Sequence, residues 1–218
     1  MTESVRAALG ALQDERDRSW TPAQLELNAS QRHELVLGFD RSRAIKVGDP
    51  MPNFMLEAVD GTTIRLDGLI ATGPAVLIFF RFAGCPACNV TLPVYQRATW
   101  PTLRELGVPL VAISPQVPSK LSEIQRRHAL DFTIATDQDN HLGRQLGITF
   151  EANSATRQAA TTPLGEVTGT GTWELPFPTA LVVDQKGFVA WMDVTPDWMK
   201  RTEADGIIDA VRSIIIQV

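Results

Sequence analysis

Two cysteines and three histidines are all that 218 residues offer a borderline metal ion. A structural zinc site takes about four such ligands. Here there is no second cysteine pair, and His33, His128 and His141 stand neither beside one another nor at ligand spacing. No resident metal is expected, and no organic cofactor. Basic charge is also short: 20 Lys and Arg against 25 Asp and Glu leave a net charge of −5, so no field draws in a phosphate backbone and nucleic acid is excluded as a partner. No run approaches the roughly eighteen uninterrupted apolar residues of a membrane span. The opening MTESVRAALG lacks the basic start and apolar core of a secretory signal. These absences predict a soluble, cytoplasmic protein with no membrane partner. Repeats and low-complexity tracts are missing too, so the 44% hydrophobic content is available for one decorated domain.

What is there reads as alternating helices and strands. Val5, Ala8, Leu9 and Leu12 recur at helical spacing and predict a first helix. Thr21-Pro22 is a good N-cap and first-turn pair, and Leu25, Ala29, Val36 and Phe39 line one face of a second. Residues 1–44 thus form a helical arm, and 45–218 the main domain. Phe54 to Val59 and Thr62 to Leu66 flank Asp60-Gly61, a hairpin turn. AVLIFFRF is too continuously apolar for a half-exposed strand and belongs in the middle of a sheet covered on both faces. Further strands at VPLVAIS and FTIAT, with helices between, predict right-handed crossovers and largely parallel pairing. The small, polar segment 151–172 reads as a surface insertion or mobile loop. FPTALVVD, the DQKG turn and FVAWMDV close the sheet as a hairpin. A last helix follows, with Ile207, Ile208, Val211, Ile214, Ile215 and Val218 on its apolar face.

The two cysteines lie three apart in FFRFAGCPACNV, residues 79–90. Coming off a central strand, with Pro86 suited to the first helical position, Cys85 stands at or next to a helix N-cap. Unpaired N–H groups and the helix dipole there favour a thiolate. Cys88 follows along the same face, close enough for a disulfide with little backbone movement. In a reducing compartment such a pair is oxidised transiently, within a cycle, rather than kept as a staple. The bland alternative is two small buried hydrophobes. Arg81, four residues before Cys85, is either a cation for the thiolate or a strand-end residue facing water. Trp173 and Glu174 either border the site or join the core. DQDNHLG, residues 137–143, alternates oxygens like a calcium loop but lacks its Gly and distal Glu, so it reads as a turn with a helix cap.

CPACNVTLP resembles the active-site helix of thioredoxin-fold proteins, which carry Cys-x-x-Cys at the helix start and often a proline where Pro93 stands. FPTALVVD resembles the segment in which those proteins set a cis-proline against the cysteines, here Pro178 following Phe177. From about Lys46 to Arg212, through KVGDPMPNF, LVAISPQVP, WELPFPTALVVD and VTPDWMKR, the chain is similar to the peroxiredoxin-like branch of the alkyl hydroperoxide reductase and thiol-specific antioxidant family. That resemblance implies an α/β, thioredoxin-like three-layer sandwich. Its central mixed sheet would carry an N-terminal β-hairpin, with the helical arm added in front. It departs from the family at one telling place: typical peroxiredoxins hold a Thr or Ser three residues before the reactive Cys, where this chain has Phe82 before Cys85 and Cys85 before Cys88. Thioredoxins also bury an acid six residues before the first Cys, here Phe79.

The expected function is a thiol oxidoreductase in which Cys85 attacks a peroxide or disulfide and Cys88 resolves the product, with Pro178, Phe177, Arg81 and Pro86 supporting the site. The resemblance implies a thioredoxin-type or low-molecular thiol as reductant; a homodimer is an open possibility. The missing hydroxyl, and Pro178 where peroxiredoxins bring an Arg-bearing segment, predict disulfides reduced more readily than hydrogen peroxide. The alternative is a non-enzymatic redox sensor, in which the state of the pair controls how the arm docks.

Overall fold

The computed structural model describes residues 3–216. Helices α1 (Val5–Ser19) and α2 (Pro22–Gly38) come first. The hairpin β1 (Met55–Ala58) and β2 (Thr63–Arg65) and the turn α3 (Leu66–Leu69) lead into β3 (Ala75–Phe79). Then follow α4 (Pro86–Ala98), α5 (Trp100–Glu105), β4 (Leu110–Ser114), α6 (Pro118–His128), β5 (Thr133–Thr136) and α7 (His141–Gln145). The chain continues through β6 (Thr149–Glu151), α8 (Ser154–Ala159), α9 (Leu164–Thr168) and β7 (Glu174–Pro176), and closes with β8 (Thr179–Val183), β9 (Val189–Val194) and α10 (Ala204–Ile216). No described helix is long and apolar enough to cross a membrane.

Seven strands form one sheet in the order β2-β1-β5-β4-β3-β8-β9. Parallel pairing is confined to its centre, β3 with β4 and β4 with β5; the other neighbours are antiparallel, so the sheet is mixed. Every residue of β3, β4 and β8 is buried, as the unbroken apolar run at residues 75–80 demands of a strand covered on both faces. Alternation along β3 divides the core. Val76, Ile78 and Phe80 face the layer containing both cysteines and α1, α4, α6 and α10, whereas Leu77 and Phe79 face the layer with Leu66, Leu142, Leu146 and Phe177.

The first helix uses the predicted stripe: Val5 and Leu9 are buried, with Ala8 and Leu12 packed against the same core. Its N-terminus is held from the far end of the chain. The Glu203 carboxylate accepts from Val5 N and Arg6 N, both at 2.9 Å, and from Ser4 Oγ at 3.1 Å, placing an anion on the positive end of the helix. Arg97 adds two bonds to Glu3, at 2.8 Å each. Thr21 and Gln24 form a capping box on α2, as Thr21-Pro22 foretold. The predicted packing face of α2 needs correction: Ala29 is exposed and Val36 is 48% exposed, while Gln31 and Leu35 turn inward. Leu35, Val36 and Leu37 are consecutive apolar residues, so the hydrophobic pattern leaves the phase open. Contact with the domain selects Leu35, with Phe39 one turn further on.

Residues 151–172, expected to be an insertion or mobile loop, hold α8 and α9, with Ala152, Gly165 and Thr168 buried. Val117 N donates to Thr168 O at 3.1 Å and Gln116 Nε2 to Val167 O at 3.2 Å, which ties the segment to the start of α6. In the DQDNHLG turn, the Asp137 carboxylate accepts from Leu142 N and Gly143 N at 2.9 and 2.8 Å and so caps α7. In the last helix Ile207, Ile208 and Val211 are buried, Ile214 packs on the core and Ile215 is exposed; Val218 lies outside the described residues.

Candidate active site

Strand β3 delivers residues 80–84 to the top of the sheet, and side chains fix the loop that follows. Gln116 Oε1 accepts from Ala83 N at 2.7 Å, and Ser114 Oγ donates to Arg81 O at 2.9 Å. Asn89 Nδ2 donates to the carbonyls of Ala83 and Cys85 at 2.7 and 2.9 Å, while Asn89 Oδ1 meets Arg127 and His128. The first turn of α4 is thus bound back onto the loop before it. Asn89 and Gln116 lie within CPACNVTLP and LVAISPQVP, yet neither is among the sequence-based site residues.

Cys85 is the N-cap of α4 and Pro86 its first residue, as the Cys-Pro pair predicts. Both cysteines are reduced and each is 1% exposed. Their thiols are driven apart. Cys85 is held well below its ordinary value, first because the Cys88 thiol donates to its thiolate, then through the positive charges of Arg81 and Arg201; burial opposes both. Cys88 is pushed well above its ordinary value, chiefly by burial, then by the hydrogen bond it donates to the Cys85 sulfur and by the charge there. One sulfur favours the thiolate and the other keeps its proton.

The loop between β9 and α10 supplies what surrounds this pair. Arg201 Nη2 lies 3.9 Å from Cys88 Sγ, and its Nε donates to Trp198 O at 2.9 Å. The Trp198 ring, 3% exposed, sits 4.3 Å from the Arg81 guanidinium, which therefore turns toward the site rather than to water. The same loop receives two cations from the N-terminal helices: Arg16 Nη1 donates to the Met199 sulfur at 3.1 Å, and Arg32 pairs with Asp197 at 3.4 Å. Arg201, Trp198 and Arg16 are absent from the sequence-based site. VTPDWMKR carried the signal for the first two; Arg16 has none.

Pro178 shares a small cavity with Cys88 but not with Cys85. With Cys88, Tyr95, Thr179, Thr195 and Arg201 it lines a cavity of about 10 Å³, roughly the space one water needs. The predicted cis bond is not there: Phe177-Pro178 is trans, like every described peptide bond. Extended backbone explains it. The chain runs from β7 directly into β8, with Phe177 N donating to Ile148 O at 2.7 Å and Pro178 O accepting from Thr195 N at 2.8 Å, and trans is the favoured X-Pro isomer. Phe177 is not brought to the site. It lies in the opposite core layer, stacked on Phe150 at 4.8 Å and edge-on to Phe39 at 5.0 Å. Trp173 and Glu174 are engaged elsewhere, with Arg157 and Arg144. No three or more described His, Cys, Asp or Glu side chains are grouped to hold a metal ion.

The AhpC/TSA family pattern matches residues 47–192. Peroxiredoxin Bcp of Escherichia coli (strain K12) is 32% identical over 105 residues, which are 48% of this chain and 65% of that protein. The match therefore spans just under two thirds of that relative. Thiol-disulfide oxidoreductase ResA of Bacillus cereus is 21% identical over 154 residues, 69% of this chain and 71% of its own. In fold, the crystal structure of peroxidoxin BcpB from Mycobacterium tuberculosis superposes with a TM-score of 0.61 at 21% identity, covering 78% of this chain and 98% of that one.

Proposed function

Because the chain belongs to the AhpC/TSA family, we propose that it is a thiol oxidoreductase of the peroxiredoxin type, working through Cys85 and Cys88. The observation that carries this reading is geometric: Cys85 is the N-cap of α4, Cys88 lies in its first turn, and Arg201 Nη2 stands 3.9 Å from the Cys88 sulfur, an arrangement in which the two thiols shift in opposite directions. The Cys85 thiolate attacks the terminal oxygen of a hydroperoxide and the O–O bond breaks. The sulfur keeps the OH as a sulfenic acid, and the alkoxide leaves to take a proton from solvent. Cys88 then attacks the sulfenic sulfur, its proton leaving with the hydroxide as water, and a disulfide remains. Two electrons from an external thiol pair, thioredoxin-type or low-molecular, restore the dithiol. Reducing cytoplasm suits that cycle.

Peroxides are the favoured substrates in this reading, which reverses the ranking from the sequence. The hydroxyl donor is indeed missing, but Arg81 and Arg201 bring positive charge to the pair by another route. Burial of both sulfurs, each 1% exposed, admits a small oxidant more readily than a protein disulfide. The relationship to ResA keeps disulfide exchange as the second reading.

The test is mass spectrometry of the reduced protein after one equivalent of hydrogen peroxide. Wild type should lose two hydrogens, Cys88→Ser should gain one oxygen, and Cys85→Ser should be unchanged. Turnover with a thiol reductant then separates an enzyme from a sensor, which oxidises once and stops. Faster stopped-flow consumption of a model disulfide than of peroxide would return the ranking to the second reading.

A further inference from the structure

Strand β9 ends at Val194 and α10 begins at Ala204. The stretch between them brings Trp198 to Arg81 and Arg201 to Cys88 without belonging to any helix or strand. The domain anchors its far end: Tyr95 OH donates to Thr202 O at 2.7 Å, and Thr202 Oγ1 donates to Asp193 at 2.9 Å. The near end is held from the N-terminal arm. Arg32, on α2, pairs with Asp197 at 3.4 Å, and Arg16, on α1, donates to the Met199 sulfur at 3.1 Å. Asp197 in turn shapes the chain around it, its carboxylate accepting from Met199 N at 3.0 Å and its carbonyl from Lys200 N at 2.8 Å. Residues 197 and 199 therefore meet the arm, while 198 and 201 meet Arg81 and Cys88. The arm contacts are well seated. The Arg32 and Asp197 side chains are 21% and 15% exposed, so salt screens their attraction less than on an open surface. Arg16 is buried, with its guanidinium 4.8 Å from the centre of the Trp20 ring.

We propose that the arm is a clamp on the active site: through Arg32–Asp197 and Arg16–Met199 it fixes the turn at 197–201, so that Arg32 and Arg16 are positioning residues for Arg201 and for the Trp198 indole. The inference rests on Cys85 and Cys88 being the working pair. Both sides of the clamp lie outside residues 47–192, the stretch that matches the family pattern: the arm precedes it and the turn follows it. A loop with no strand ladder of its own keeps a charge in place only as well as its side-chain contacts do, and a displacement of about 1 Å at a site can cost about a hundredfold in rate. Arg81 and Arg201 are the charges that favour the Cys85 thiolate. Loosening the clamp weakens both without touching either sulfur, so docking of the arm sets the reactivity of the pair.

The experiment titrates the ultraviolet absorbance of the thiolate in reduced protein carrying Arg32→Met and Asp197→Asn together. The two changes remove one charge of each sign, and asparagine keeps an acceptor for Met199 N, so net charge and the bond within the turn are preserved. The midpoint should rise by about half a pKa unit, which is about threefold less thiolate at pH values below it. A midpoint equal to that of wild type, or below it, overturns the proposal. Should the double variant not fold, Asp197→Asn alone decides by its sign. Loss of an anion by itself favours a thiolate and lowers the midpoint, whereas loss of the clamp raises it; a midpoint lowered or unmoved overturns the proposal. Titration needs no turnover. A protein that failed to reduce peroxide would refute the proposed function and leave the clamp standing, and the converse holds.

Discussion

The guanidinium of Arg81 stacks 4.3 Å from the ring of Trp198, whose carbonyl accepts from Arg201 Nε at 2.9 Å. One buried residue therefore meets both arginines that lower the Cys85 thiol, Arg81 through its indole and Arg201 through its backbone carbonyl. Trp198→Ala should cost about 3–5 kcal/mol of stability as a cavity opens, and it should also raise the thiolate midpoint. Trp198→Phe keeps a ring for Arg81 and should retain most of both properties. Thermal melts and thiolate titration of the two variants check this; a midpoint unmoved in a folded Trp198→Ala would mean that Arg81 holds its place without the indole.

The pH dependence of stability has a definite sign. Between the depressed folded value of Cys85 and the ordinary thiol value of about 8.5, the unfolded chain binds a proton that the native state does not, so stability rises with pH through that window. The contribution is fully present above the ordinary value and is lost as pH falls through the folded one. Cys88 acts in reverse: above the ordinary thiol value the unfolded chain ionises while the buried thiol stays protonated, and stability falls as pH rises. Urea denaturation of reduced protein across pH should show the rise vanish in Cys85→Ser and the high-pH fall vanish in Cys88→Ser.

Asn89 ties the start of α4 to the loop before it through two donated bonds. Asn89→Ala leaves two carbonyls to find other partners and should destabilise by about 1–3 kcal/mol. Asn89→Asp, which keeps the shape but cannot donate, should do no better. Chemical denaturation is the measurement, and a loss under a few tenths of a kcal/mol would assign the loop's rigidity to Gln116 instead.

Glu203 caps α1 from beyond β9. Glu203→Ala should cost about 1 kcal/mol, concentrated in the first turn of α1. Hydrogen exchange should accelerate there while β3 and β4 keep their protection. A uniform change across the sheet would mean that α1 unfolds only with the whole domain.

Local chemistry made the centre of this fold legible and its rim illegible. The apolar run of β3, the Asp60-Gly61 turn, the Thr21-Pro22 cap and the Cys-Pro helix start each act within a few residues, and each stands where its pattern predicts. What surrounds the cysteines comes from elsewhere: Arg201 reaches Cys88 across 113 positions and Arg16 reaches Met199 across 183. No spacing rule spans such distances. Phe177 was misplaced for a different reason. It sits next to Pro178, but neighbours in an extended strand point to opposite faces, so a proline that reaches the site sends the residue before it to the other layer. The trans bond, too, reflects strand pairing on both sides rather than the proline itself.

The grip of Glu203 on the first turn of α1, with Trp198 and Arg201 beside the cysteines, also sets an order of events during synthesis. Cys85 leaves the ribosome more than a hundred residues before the segment that surrounds it, and domains condense as their parts emerge. In a nascent chain the sulfur has no Arg201, no stacked Arg81 and no seal from α1, and it is an ordinary thiol. These groups arrive only with the loop before the final helix, so a copy cut short ahead of that loop lacks Arg201 and the indole that meets Arg81.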